Sequence, residues 1–192
     1  VGRAQEKGLV EINAVNLRDF THDRRQTVDD VPYGGGPGML MKADVLSEAV
    51  LSLKKSDSLV ILTGPRGDVF NQKAARDLAE KRHLIIICGH YEGVDERVRQ
   101  TLVDREYSIG DYILTSGNLP AMVMTDAVVR LLPGALGDDE SGVDESFETG
   151  LLEYPQYTRP PEFEGLRVPD VLLSGDHEKI AKWRKAESLR IT

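Results

Sequence analysis

Alternation of Val10, Ile12 and Ala14 with Glu11 and Asn13 predicts a half-buried strand over 9–16, whereas apolar residues at 43, 46, 50 and 53 carry helical spacing and predict a helix over 43–55. A long polar loop separates the two. The pattern then repeats as a strand over 59–63, a Gly64-Pro65-Arg66-Gly67 turn, a helix over 72–82 that begins after the capping residue Asn71, and a strand over 84–88. The Ile-rich end of this strand–helix–strand succession has no polar face, which is the signature of a strand buried on both sides in a parallel sheet. A helix over 94–103, short strands over 107–109 and 112–115, and a strongly apolar helix over 120–132 stopped by Pro133-Gly134 complete the pattern. The expected class is α/β with a parallel sheet, occupying residues 1–136.

Composition changes sharply after that. Residues 138–153 hold Asp138, Asp139, Glu140, Asp144, Glu145, Glu148 and Glu153 with no Lys or Arg, a composition that predicts an interdomain linker over 137–153. Beyond it a proline-rich stretch leads into a basic amphipathic helix from about Asp176, giving a small second domain over 154–192. The chain opens without Met and stops inside that helix, so a fragment lacking its first strand and part of the second domain is expected. The formal charge of −8 and pI of 5.1 exclude a uniformly basic nucleic-acid glove. The linker alone accounts for −7, however. What remains is nearly neutral, with basic clusters at Arg18, Arg24 and Arg25 and in the final helix that suit phosphate. The longest apolar run, 84–88, is far short of the ~18 residues that span a bilayer, and the first residues lack a signal-peptide core; a cytoplasmic protein with no membrane association is expected. The single cysteine, Cys88, cannot form an internal disulfide and reads as a small buried hydrophobe. The four histidines have no metal-ligand spacing, so no structural metal is expected.

Ligands of open parallel sheets bind beyond the carboxyl ends of the strands. Glycine-rich loops follow the predicted strands at 89–93 (Gly-His-Tyr-Glu-Gly), at Gly110-Asp111 and at 116–120 (Ser-Gly-Asn-Leu-Pro). Glycine there lets backbone N–H and C=O groups reach a ligand, or simply makes a tight turn; both readings stay open for each loop. Neither a dinucleotide fingerprint nor a P-loop is present. A fourth cluster, Tyr33-Gly34-Gly35-Gly36-Pro37-Gly38-Met39, is either an anion-binding nest or a loop ordered by Pro37 and its flanking Tyr33 and Met39. The Arg66-Gly67-Asp68 tripeptide is set aside as an adhesion motif.

Together these segments resemble the bacterial tRNA (guanine-N1)-methyltransferases. The resemblance runs through Asn16-Leu17-Arg18-Asp19-Phe20-Thr21, Thr27-Val28-Asp29-Asp30, residues 32–41, residues 88–97, Ser108-Ile109-Gly110-Asp111-Tyr112, Leu119-Pro120-Ala121, Tyr157-Thr158-Arg159-Pro160 and Val171-Leu172-Leu173-Ser174-Gly175. It implies a SPOUT-type α/β domain with a C-terminal trefoil knot, a homodimer whose active sites are shared between subunits, and a small helical domain that grips tRNA. Its implied cofactor is S-adenosylmethionine, with assistance by Mg2+ left open. Carried over by motif, the implied cofactor pocket comprises Leu62, Thr63 and Pro65, then Gly89, Tyr91, Glu92 and Gly93. From the last two loops it takes Ile109, Gly110, Tyr112 and Leu114, then Ser116, Gly117 and Pro120.

The implied reaction is methylation of N1 of the guanosine at tRNA position 37, immediately 3′ of the anticodon. Guanine N1 carries a proton in the neutral base, so the reaction needs a carboxylate to take it and a cation to meet charge developing on the ring. The family's cation matches Arg130. Its base matches Glu145, where the family has aspartate; Asp144, one residue earlier, is the alternative. Ser116 and Asn118 are further departures, standing where the family often has glycine and an acidic residue. A ribose 2′-oxygen methyltransferase and a noncatalytic RNA- or ligand-binding module are the competing readings.

Overall fold

Val60, Ile61, Leu62 and Thr63 are all buried, and the strand that holds them organises the chain. In the computed structural model, which describes residues 1–136, 145–147 and 150–192, the chain divides into two units, Val1–Gly137 and Asp138–Thr192. The first runs through helix α1 (Gly2–Glu6), a 3-10 turn (Leu17–Phe20), strands β1 (Asp29–Asp30) and β2 (Leu40–Met41), helix α2 (Ala43–Leu53), strand β3 (Ser58–Val69) and helix α3 (Gln72–Ala79). Strand β4 (His83–Cys88), helix α4 (Glu96–Leu102), strand β5 (Arg105–Ser108) and helix α5 (Asn118–Val129) follow. Strand β3 lies between β4 and β5 and parallel to both, with Thr63 opposite Cys88 on one side and opposite Tyr107 on the other. The carboxyl ends of the strands therefore finish level.

Because side chains alternate along a strand, β3 feeds two cores. Val60 and Leu62 pack with Leu46 and Val50 of α2, Ile85 and Ile87 of β4 and Val98 of α4. Ile61 points the other way, against Ala74, Ala75 and Leu78 of α3, Tyr107 of β5, and Met124 and Val128 of α5. Helices on both faces explain why the strands read as apolar runs. Each fully buried Ile or Leu contributes roughly 1.5–3 kcal/mol before ordering costs. Helix α3 begins as its sequence dictates, with the Asn71 side chain accepting from the Ala74 N–H at 2.9 Å. It ends at Ala79, short of residue 82, because the chain must turn to place His83 beside Ser58, where Ser58 Oγ and His83 Nδ1 lie 2.6 Å apart.

Three expectations are corrected. Residues 9–16 form no strand, and Leu9, Ile12 and Val15 are exposed. Extended chain becomes a strand only when its N–H and C=O groups meet a neighbour, and among the described residues none pairs with this segment. Residues 112–115 likewise form no strand; only Ser116 makes an isolated antiparallel bridge, to His90. Finally, the Gly64–Gly67 segment is not a turn that ends a strand. β3 runs on to Val69 through a register shift against β5 between Thr63 and Asp68, a bulge that re-aims the backbone at the sheet's carboxyl edge. Cys88 is half-buried at the end of β4, and burial raises its thiol pKa.

In the second unit, strands β6 (Glu162–Phe163) and β7 (Leu166–Arg167) form a tight hairpin, followed by helices α6 (Asp170–Leu173) and α7 (His177–Ile191). Asp176 caps α7 by accepting from the Lys179 N–H at 3.1 Å, so the basic helix starts where its sequence places it. Tyr154, Tyr157 and Trp183 gather beneath it, with the Arg184 guanidinium 4.7 Å from the Tyr154 ring centre. Most of the acidic segment expected to be a linker lies outside the described residues.

Candidate functional site

The level ends of β3, β4 and β5 bring the three glycine-rich loops together. From β3, the buried Thr63 hydroxyl lies 3.1 Å from the Ile87 carbonyl oxygen and 3.3 Å from that of Gly117. The Gly117 amide in turn donates to the Gly89 carbonyl at 2.6 Å. A Cβ at Gly117 would collide with Thr63 Oγ1 and lie 2.7 Å from the Gly89 nitrogen and 3.0 Å from Cys88 Cα. Only glycine fits there. Residue 117 is thus wedged between the ends of β3 and β4, and it fixes where α5 begins, since it is that helix's N-cap.

His90 and Asn118 lie beside this wedge. His90 Nδ1 is 3.0 Å from the Cys88 carbonyl; a carbonyl only accepts, so the proton sits on Nδ1 and Nε2 faces the Asn118 amide 3.5 Å away. The departures at 116 and 118 are accommodated at one spot: Ser116 bridges His90, and its Oγ is 3.4 Å from the Asn118 N–H. In the third loop the Ser108 hydroxyl donates to the Gly110 carbonyl at 3.1 Å and the Tyr112 hydroxyl donates to the Ile109 carbonyl at 3.2 Å. Around these backbone turns Tyr91, Tyr112, Ile113 and Leu114 are exposed, Ile113 to 80 %. Apolar and aromatic side chains and backbone polar groups thus lie open together at this edge of the sheet, the mix of surfaces that small-molecule sites use.

The loop after β4 also carries the glycine cluster of 33–39 on its back. Glu92 N–H donates to the Met39 carbonyl, Met41 N–H to Gly93, and Asp95 N–H to Met41, at 3.0, 3.0 and 3.1 Å. Gly38 sits directly against the Glu92 side chain, where a Cβ would overlap Cγ and Oε1. Glycine at 38 is required by its backbone, whose φ of +82° is one that side chains rarely adopt, and the Glu92 side chain adds to the crowding. No bound anion is needed to explain it.

On the other side, Pro65 belongs to a segment held from outside: Arg66 and Arg99 both donate to Glu96, at 3.0 and 2.6 Å, and hold its carboxyl down to about 2. Glu106, 11 % exposed and 4.0 Å from Arg99, lies against Gly64. Glu106 was absent from the sequence-based candidates, although a charged residue inside a short core strand is the signal that finds it.

Of the proposed catalytic residues, Arg130 is the half-buried C-cap of α5, its N–H donating to the Asp126 carbonyl at 3.1 Å. Glu145 belongs to the second unit, half-buried at the start of a fold-back in which Phe147 N–H donates to the Leu151 carbonyl and Glu153 N–H donates to Ser146 Oγ. Asp144 lies outside the described residues. Among the described residues no group of three or more His, Cys, Asp or Glu side chains is placed to hold a metal ion, and no helix is long and apolar enough to cross a membrane.

The family model described as tRNA (Guanine-1)-methyltransferase TrmD matches residues 1–192. The chain belongs to the tRNA (guanine-1)-methyltransferase family. It is 63 % identical over 190 residues to the tRNA (guanine-N(1)-)-methyltransferase of Dictyoglomus turgidum, covering 99 % of this chain and 77 % of that one. It is 59 % identical over 187 residues to that of Carboxydothermus hydrogenoformans, with coverage of 97 % and 74 %, and 55 % identical over 192 residues to that of Geobacillus kaustophilus, with 99 % and 79 %. A three-stranded parallel sheet with loops gathered at one edge is consistent with a methyltransferase of this family.

Proposed function

We propose that the chain uses S-adenosylmethionine to methylate N1 of the guanosine at tRNA position 37, immediately 3′ of the anticodon. The observation that carries this reading is the Thr63–Gly117–Gly89 contact, which joins the ends of β3 and β4 to the 116–120 loop while the 109–114 loop leaves the neighbouring end of β5, in a member of this family. Leu62, Thr63 and Pro65 form one wall of the pocket; Gly89, Tyr91, Glu92 and Gly93 form a second; Ile109, Gly110, Tyr112 and Leu114, with Ser116, Gly117 and Pro120, close it. The donor supplies a methyl group on sulfonium sulfur, so that the N1–C bond forms as the S–C bond breaks. Glu145, or Asp144 beside it, takes the N1 proton, and Arg130 meets the charge that develops on the ring and O6. In this reading the C-terminal part of the first unit carries the trefoil knot.

The enzyme works as a homodimer in this reading. Leu119, Met122 and Val123 recur at helical spacing on α5 and are exposed, Met122 to 65 %, opposite the buried Met124 and Val128. An apolar stripe of this kind on a core helix suits a second copy. Residues 154–192 contribute a tRNA-binding surface through the basic face of α7, and the site of action is the cytoplasm. The test is methyl transfer to a tRNA bearing guanosine at position 37, with the methyl group located by mass spectrometry of digested RNA. Product on N1 of that guanosine is expected, and loss of product with adenosine at the site, whose N1 carries no proton, maps the substrate; inosine, which keeps the N1 proton, serves as the control. Methylation of a ribose oxygen would overturn the reading.

A further inference from the structure

Tyr33 is 100 % exposed and Val31 70 % exposed, yet the hairpin that carries them is tied down on both limbs. Strands β1 and β2 pair Asp29 with Met41 and Asp30 with Leu40, and Lys42 N–H donates to the Val28 carbonyl at 2.9 Å. At the tip, Gly35 N–H donates to the Pro32 carbonyl at 3.2 Å, closing a turn with Tyr33 at its second position. The returning limb is bonded through Met39 and Met41 to Glu92, Gly93 and Asp95, residues of and next to the proposed donor loop. A ring that is wholly in solvent adds no burial to the fold. Held on an anchored turn, it is ready to cover something else.

The occupant is identified by what surrounds the ring. Nothing lies within 4 Å of the Cβ positions of Gly34, Gly35 and Gly36, so a flat group can approach the turn without meeting side chains. Arg97, two residues beyond the Asp95 that anchors the returning limb, is held by that carboxylate through contacts of 2.9 and 2.8 Å. A fully exposed aromatic face on an anchored, open turn is a recurring platform for an unpaired nucleobase, since bases in an A-form duplex cannot be reached this way.

We infer that Tyr33 stacks on an unpaired base of the RNA substrate beside the target guanosine and so positions the strand at the donor loops. The inference rests on the methyltransferase reading above and makes Tyr33 a positioning residue. Its role is tested in the full chain with Tyr33→Ala, Tyr33→Phe and Tyr33→Trp. The probe is a tRNA transcript with guanosine at position 37, and a copy carrying 2-aminopurine at the neighbouring nucleotide reports stacking by fluorescence quenching. Tyr33→Ala is expected to raise the KM for tRNA roughly tenfold to a hundredfold, the range that loss of one stacked base produces. It should abolish the quenching, leaving S-adenosylmethionine affinity by calorimetry unchanged. Tyr33→Phe and Tyr33→Trp are expected to restore both readouts. Unchanged KM and quenching in Tyr33→Ala, or Phe as defective as Ala, overturns the inference. So does dissociation of a wild-type dimer on Tyr33→Ala, seen by light scattering, because the ring would then pack on a second copy. If the wild type transfers no methyl group, the proposed function fails, while quenching still decides the stacking.

Discussion

Thr63 and Gly117 are 54 positions apart and meet at the carboxyl end of β3, where the Thr63 hydroxyl lies 3.3 Å from the Gly117 carbonyl oxygen. That contact ties the end of β3 to the residue that opens α5. Gly117→Ala forces a methyl group into Thr63 Oγ1 and the backbone of Cys88 and Gly89, atoms that belong to strands and cannot swing aside. Overpacking of this kind costs about 1–3 kcal/mol. Urea unfolding should show that loss and calorimetry a weaker affinity for the methyl donor, whereas Gly2→Ala, with nothing within 4 Å, should change neither. A wild-type unfolding midpoint in Gly117→Ala would mean that the strands separate freely there.

The proposed chemistry divides between one cation and one carboxylate. Arg130→Ala should lower kcat by about 10²–10³, the scale of losing one charge-stabilising group, and Arg130→Lys should recover little if planar, two-nitrogen contact is used. Glu145→Gln is expected to abolish turnover while Asp144→Asn spares most of it. Single-turnover rates with saturating donor check this, and the reverse order would move the base to Asp144.

The exposed stripe of α5 gives a third outcome. Replacing Met122 and Val123 together by glutamate puts like charges on both sides of a self-complementary contact, so light scattering should report a monomer. Methyl transfer should fall with it, since the active site is proposed to draw on both subunits. Retained dimer in that variant would place the interface elsewhere.

Two strands of the central sheet were legible because each has a local pattern that its environment rewards: 59–63 and 84–88 are apolar on both faces, and helices cover both; the third, Arg105–Ser108, carries charges and was read only over 107–109. The segment at 9–16 has an equally good alternation and no partner strand among the described residues, and alternation says nothing about partners. The candidate loops were legible as glycine-rich strand ends. What could not be read was that Gly117 backs onto Thr63, or that Gly38 lies against Glu92. Both contacts join segments far apart in the chain, and a glycine looks the same in sequence whether it admits a ligand or a neighbouring side chain.

Glu96 offers a prediction with a defined sign. Its carboxyl is held down to about 2, first by hydrogen bonding from Arg99 and then from Arg66, against an ordinary value of 4.5 for an unfolded glutamate. A carboxyl whose folded-state pKa is depressed contributes stability that is fully present above the unfolded value and is lost as pH falls toward the folded one. The contribution of this cluster should therefore be constant above about pH 5 and fade between there and about 2. Both Arg66 and Glu96 are well exposed, so salt should weaken it as well. Glu96→Gln should flatten the acid limb of stability against pH by lowering stability at neutral pH, while at acid pH, where the wild-type carboxyl is protonated, the two proteins converge. Because Arg66 adjoins Pro65, the same variant should loosen donor binding at neutral pH if the cluster holds that loop in place; calorimetry at low and high salt separates the two effects. A pH dependence of stability in Glu96→Gln identical to wild type would show that the arginines gain nothing from this carboxylate.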